Sequence, residues 1–254
     1  MEAWIEFGRG PLFRLTFGLM VLGSARIFIL TLLGIIETHR ASEDKIIPWK
    51  VLIKHTVTWL IPIGRLWKKR PAYSVISVLF HIGLIIVPLF LAAHVLLWER
   101  SVGFAWFTIP QNLANILTIL TIVTGLMLFF GRVFHHGARY LSRFQDYIWP
   151  PLIVIPFLTG MICSNAPISP KTYQFLMLIH IYSADLIIVS IPFTKVAHCV
   201  LMPLSQFVTG VAWKLRKGAG DMVLETLGET DRPTWVLKPR LGPKPVPDAK
   251  SEEK

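Results

Sequence analysis

The chain has 254 residues, of which 53% are hydrophobic and only 16% charged, with a net charge of +11. Its mean hydropathy is +0.56. A soluble domain of this length rarely reads so apolar. The basic residues lie between the apolar blocks instead of along one face, so they set membrane topology and do not form a nucleic-acid surface.

In chain order, five apolar spans are predicted at roughly 12–36, 74–98, 110–133, 147–164 and 173–202. A span needs about 20 apolar residues at a rise near 1.5 Å each. The opening MEAWIEFGRGPLFRLTFG lacks the pattern of a cleaved leader, so the first block reads as a retained helix. Between spans one and two, residues 46–71 mix tryptophans and aliphatics with lysine and arginine. That composition predicts an amphipathic segment in the headgroup layer, the rival being a short sixth span burdened by Lys50, Lys54 and His55. The fourth span carries three prolines, which predict a kinked or partly re-entrant helix. Beyond about 205 the chain turns proline-rich and charged, as an extended tail does. The expected division is therefore a membrane domain, 1–204, and a basic, Pro-rich cytoplasmic tail, 205–254.

Lysine and arginine counts orient the spans. The 37–73 connection carries eight, the 131–146 connection three and the tail after 204 nine, against Arg9, Arg14, Arg100 and Lys171 on the other side. This bias puts the N-terminus outside and the C-terminus in the cytoplasm. The fold expected is an all-α integral membrane bundle of five transmembrane helices.

Two cysteines, Cys163 and Cys199, form neither C-x-x-C-H nor a C-x-x-C ladder. Covalent c-type haem is thereby excluded, and an iron–sulfur cluster is not expected in this chain. Histidine is the informative residue. Of eight, four fall inside predicted spans: His81 and His94 in the second, His180 and His198 in the fifth. Imidazole is costly in a bilayer and marks a functional site by default. His180 and His198 are 18 residues apart, five full turns and about 27 Å on a straight helix. His81 and His94 are 13 apart, about 20 Å. The two spans run in opposite directions, so His81 and His198 share the cytoplasmic half, and His94 and His180 the outer half. Two facing pairs at two depths are what two bis-histidine b haems require. One mismatch stands out: 13 residues of straight helix turn His94 about 140° from His81. Pro88, and Pro192 in the fifth span, offer places to re-phase. The plainer alternative is that the histidines hydrogen-bond to neighbouring helices. His135 and His136 read as interfacial, with a ligand role as the alternative, and His39 and His55 as loop or surface residues.

FHIGLIIVPLFLAAH (80–94) with HIYSADLIIVSIPFTKVAH (180–198) resembles the gamma subunit of respiratory nitrate reductase. GPLFR (10–14), IPQNLANILTILTIV (109–123) and IPFTKVAH (191–198) are more similar to a wider branch of that family. It comprises the cytochrome b subunits of sulfate-reducer membrane complexes and of membrane-bound heterodisulfide reductase. The resemblance covers about 10–204, and the spacing in the second span is longer than in nitrate reductase itself. It implies five spans, an outside N-terminus and two b haems between the second and fifth helices. It also implies electron exchange between a quinone pool, menaquinone being expected, and an attached iron–sulfur or molybdenum subunit, or a periplasmic multihaem cytochrome c. Terminal catalysis would lie in those partners, in a hetero-oligomer of the inner (cytoplasmic) membrane.

Three further polar residues fall in the spans. Arg26 is a candidate for a haem or quinone contact, or for an ion pair with Asp185. Lys195 is a candidate partner of a haem propionate, or snorkels to the interface. Asp185 is a candidate proton relay, counter-ion or imidazole partner. The rival class is a haem-free transporter or structural anchor whose histidines bind protons or metal. A rival within the family holds a single haem, at the inner pair of His81 and His198.

Overall fold

A computed structural model describes residues 1–41, 49–60, 71–209, 222, 225, 226 and 228. Among these the chain is almost wholly helical and contains no β-strand. Five helical segments are long and apolar enough to cross a membrane: Glu2–Arg40, Pro71–Phe90, Gln111–Phe134, Phe144–Asn165 and Pro170–Phe193. Of residues 46–71, Trp49–Leu60 is helical and Pro71 opens the next helix, while 46–48 and 61–70 lie outside the described residues. Most of the proposed tail does too.

The first span opens with α1 (Glu2–Phe7), passes through a π-helical turn at Gly8–Leu12 and continues as α2 (Phe13–Ala41). Pro11 has no N–H to give, so the regular ladder fails there and the turn widens. A short helix, α3, covers Trp49–Leu60. The second span is α4 (Pro71–Phe90), followed after a break by α5 (Ala92–Val102). The third is α6 (Gln111–Phe134), trailed by the short α7 (His136–Leu141). The fourth is α8 (Phe144–Asn165), and the fifth is α9 (Pro170–Ser190). Past two 3₁₀ turns, α10 runs from His198 to Thr209.

The three prolines of α8 do not interrupt it, and the helix is continuous from Phe144 to Asn165. The fifth span, in contrast, ends earlier than its hydropathy suggests, because Pro192 removes a donor and the chain leaves the helix after Ser190. His198 therefore does not share a straight helix with His180.

The chain divides into two compact units. One comprises Met1–Ala25 and Pro62–His198, the other Arg26–Ile61 and Cys199–Lys254. In the first unit α4 packs on α6, α6 on α8 and α8 on α9, while α1 and the π turn lie on α9. Phe80, Val87, Ile153 and Phe157 form its buried centre. Lipid is as apolar as leucine, so close backbone approach has to hold such helices together. Glycines supply that approach. A Cβ at Gly125 would stand 2.9 Å from Val154 Cγ2 and 3.1 Å from Phe80 Cε2. A Cβ at Gly83 would overlap Thr121 Oγ1 and stand 2.7 Å from the Leu117 carbonyl. Thr118, Thr121 and Thr124 hide their hydroxyls on the carbonyls of Ala114, Leu117 and Leu120, so this polar stripe of α6 is buried without cost to the packing.

Gly83→Ala should destabilise the detergent-solubilised protein by about 1–3 kcal/mol, the usual penalty of overpacking. Gly18→Ala, whose added carbon meets nothing within 4 Å, is the matched control. Thermal unfolding followed by tryptophan fluorescence reads the difference.

Candidate imidazole pairs and the cavity between them

The second span breaks at Leu91, which adopts an extended backbone (φ −66°, ψ 133°). Carbonyls freed by a break must find donors inside the protein, since hydrocarbon offers none. Two donors arrive. Trp106 Nε1 donates to the Leu89 carbonyl at 2.7 Å, and the Ile109 amide to that of Phe90 at 2.9 Å. The Val87 carbonyl keeps its helical bond from the Leu91 amide at 3.1 Å and accepts a second one from His94 Nδ1 at 3.2 Å. Leu91 and Ile109 form an isolated parallel bridge, so the loop after α5 folds back onto the break. Aromatic rings seal this end. Trp98 contacts Phe13, Phe17 and Trp106 at centroid distances of 5.2, 4.8 and 5.9 Å. These rings form a packed cluster.

The break also removes the phase mismatch between His81 and His94. His94 belongs to a separate helix, and its ring lies 6.0 Å from that of His180, inclined by 11°. At the other end His81 and His198 have ring centroids 6.1 Å apart and planes at 84°. The four histidines thus stand in two facing pairs, each joining α4 or α9 to a segment beyond a break.

Each ring is oriented by a backbone carbonyl on its Nδ1. The partners are Ser77 for His81 at 2.7 Å, Val87 for His94, Pro156 for His180 at 2.8 Å and Lys195 for His198 at 2.9 Å. A carbonyl only accepts, so Nδ1 carries the proton and Nε2 keeps its lone pair. Among the described residues no hydrogen bond reaches any of these four Nε2 atoms. Gly160 lets α8 lie against His180, because a Cβ there would stand 2.9 Å from its Cε1.

His94 and His180 line a cavity of about 590 Å³, within the range of small-molecule and cofactor sites. Leu84, Val87, Ile153 and Phe157 give it apolar walls, and Arg9, Arg14 and Arg100 line it too. Arg9 pairs with Glu6 at 3.9 Å. Neither His81 nor His198 lines this cavity, and His198 is exposed.

Among the other residues singled out in the sequence, Asp185 lines the cavity and is buried. Its Oδ1 accepts from the Thr16 hydroxyl at 3.2 Å, and its Oδ2 has no partner. Arg26 is exposed, lies outside the cavity lining and makes no ion pair among the described residues. Lys195 finds its anion in the protein: its ammonium pairs with Asp146, which Arg132 also holds at 3.2 Å. His135 accepts from the Ala138 amide as the cap of α7, and the His136 ring packs on Tyr140. Asp146, Trp106 and the three cavity arginines escaped the sequence reading. The arginines entered only the topology count, although they cluster at the start of the first span and beyond the end of the second. Asp146 stands three residues after Arg143 at a helix start, a capping spacing that could have found it.

The fold and these pairs define a multi-pass helical membrane protein that presents two facing imidazole pairs. It belongs to one family with a protein of Nitratidesulfovibrio vulgaris that carries the bare name "Protein": the two are 32% identical over 167 residues, 65% of this chain and 73% of the relative. No protein-family model and no solved structure matches the chain.

Trp106→Phe keeps the ring packing but leaves the Leu89 carbonyl without its indole donor. It should cost about 1–3 kcal/mol in thermal unfolding, as an orphaned buried polar group does. An unchanged unfolding temperature would mean that another group satisfies this carbonyl.

Proposed function

We propose that the chain is a dihaem b-type cytochrome, the membrane subunit of a quinone-linked respiratory complex. The observation that carries this reading is the pairing of four imidazoles, each with Nδ1 committed to a carbonyl and Nε2 free of hydrogen bonds among the described residues. A histidine metal ligand almost always donates its other ring N–H in this way. The separations support it as well. With metal–nitrogen bonds of about 2.0–2.1 Å, two imidazoles on opposite sides of one ion place their ring centres roughly 6.3 Å apart. The observed 6.0 and 6.1 Å are close to that. Among the described residues no three His, Cys, Asp or Glu side chains gather into a cage for a bare ion. Two axial imidazoles suffice where a macrocycle fills the other positions.

A b haem bound at each pair would supply one-electron exchange. His81, His94, His180 and His198 would hold the groups through Nε2, with apolar walls and, at the His94–His180 pair, Arg14 and Arg100 as cations for carboxylates. The resemblance to nitrate reductase gamma subunits and sulfate-reducer cytochromes b adds the rest of the proposal. Electrons pass between the quinone pool and a cytoplasmic iron–sulfur or molybdenum subunit, or a periplasmic cytochrome c. The excess of lysine and arginine on one side supports an outside N-terminus and a docking face in the cytoplasm. The mixed composition of 46–71 supports an interfacial placement of α3.

A second reading places a single haem at the outer pair. It is favoured by the cavity that His94 and His180 share and that His81 and His198 do not.

The deciding measurement is a reduced-minus-oxidised spectrum of the purified protein with haem counted per chain. Two b haems are expected, one lost in His94→Ala or His180→Ala and the other in His81→Ala or His198→Ala. One haem, lost only with His94 or His180, would establish the single-haem reading. No haem in protein produced with ample haem supply would leave a transporter or anchor.

A further inference from the structure

The structure surrounds the His81–His198 pair with a device that the proposed function leaves unexplained. After Ser190 the fifth span loses its helix. Thr194 is extended (φ −132°, ψ −177°), and Lys195–Ala197 makes one 3₁₀ turn before α10 begins at His198. A single 3₁₀ turn has poor hydrogen-bond geometry and does not hold its own position. His198 is also exposed, so packing alone does not restrain its ring.

What fixes the turn is the first turn of α8. Gln145 Oε1 accepts the Lys195 amide at 3.0 Å, and Asp146 Oδ2 takes the Lys195 ammonium. Asp146 is itself held twice. The Arg143 amide donates to its Oδ2 at 2.8 Å, closing the cap of α8, and Arg132 of α6 lies 3.2 Å from Oδ1. The Lys195 carbonyl, fixed at both sides, accepts from His198 Nδ1 at 2.9 Å. The His198 ring faces that of His81 at 6.1 Å. An unbroken chain of contacts thus runs from α6 and α8 through Lys195 to one imidazole.

We infer that Asp146, with Gln145, is a positioning residue for the His198 ligand, acting through Lys195 to hold its Nε2 toward His81. Lys195 then serves the site through its carbonyl, and its charge is matched by protein instead of by a bound carboxylate. The inference rests on the bis-histidine reading of this pair. Lys195 is the exposed partner and Asp146 the half-buried one, which also caps α8; its removal should therefore lower stability modestly while acting selectively on one ligand. Partners of ligating histidines typically change metal affinity by about 10–100-fold; for a group one bond further out, about 10-fold weaker haem retention is expected.

The test compares Asp146→Ala, Asp146→Glu and Gln145→Ala in the full chain purified from membranes. Haem per chain, low-temperature EPR of the oxidised protein and potentiometric titration of each b haem are recorded. Asp146→Ala should weaken or shift only the signal that His198→Ala abolishes, leaving the His94–His180 signal in place. Asp146→Glu should restore it, and Gln145→Ala should reproduce the shift in milder form. Two unshifted signals in Asp146→Ala would overturn the inference while the dihaem reading stands. Equal loss of both signals would overturn it as well, since that is the mark of a general structural role. A wild-type chain without haem, or with haem at the outer pair alone, would overturn the reading beneath it and the inference together.

Discussion

Hydrocarbon gives nothing to a carbonyl that has lost its helical partner, and the whole site of this protein follows from that constraint. Both histidine-bearing spans are broken, and each break is closed with side chains. At Leu91 the donors are the Trp106 indole to the Leu89 carbonyl and the Ile109 amide to that of Phe90. After Ser190 the Thr194 hydroxyl covers the Ser190 carbonyl at 2.9 Å. The His94 and His198 rings add a second donor to carbonyls that the Leu91 and His198 amides already reach. That bond commits Nδ1 of each ring and leaves the opposite nitrogen without a hydrogen bond among the described residues.

The same economy governs the packing. Helices with lipid on their outer face gain nothing from burying leucine, so contact is made where side chains are smallest. Gly83 admits Thr121, Gly125 admits Phe80 and Val154, and Gly8 admits Ile181, whose Cγ2 would lie 2.6 Å from an added carbon. Gly160 plays this part for an imidazole, bringing His180 against the Pro156 carbonyl. Structural glycine and site glycine are distinguished here only by what they touch.

The helical class and the number of spans were legible in the sequence, because 20-residue apolar runs with basic connections leave few alternatives. The four histidines were legible as well, since imidazole has no cheap place in such runs. The manner of their meeting was not. Straight-helix arithmetic put His180 and His198 on one face and His81 and His94 on different faces, whereas both spans break and re-phase. Pro88 and Pro192 warned of this, but proline alone does not say whether a helix bends, continues or stops. Pro150, Pro151 and Pro156 stand inside a continuous α8. The sequence also could not assign Lys195 to Asp146, because that pairing joins residues 49 apart and depends on which helices are neighbours.

The two breaks have a bearing on how relatives of this chain can diverge. One residue added inside a helix turns everything beyond it by about 100° and shifts it by about 1.5 Å. The extended backbone at Leu91 or Thr194 takes up an added residue by bulging, without turning the helices on either side. The number of residues between the two histidines of a span is thus decoupled from helical repeat. Insertions and deletions should collect at these two points, and a search keyed to fixed histidine spacing would pass over chains built on the same plan.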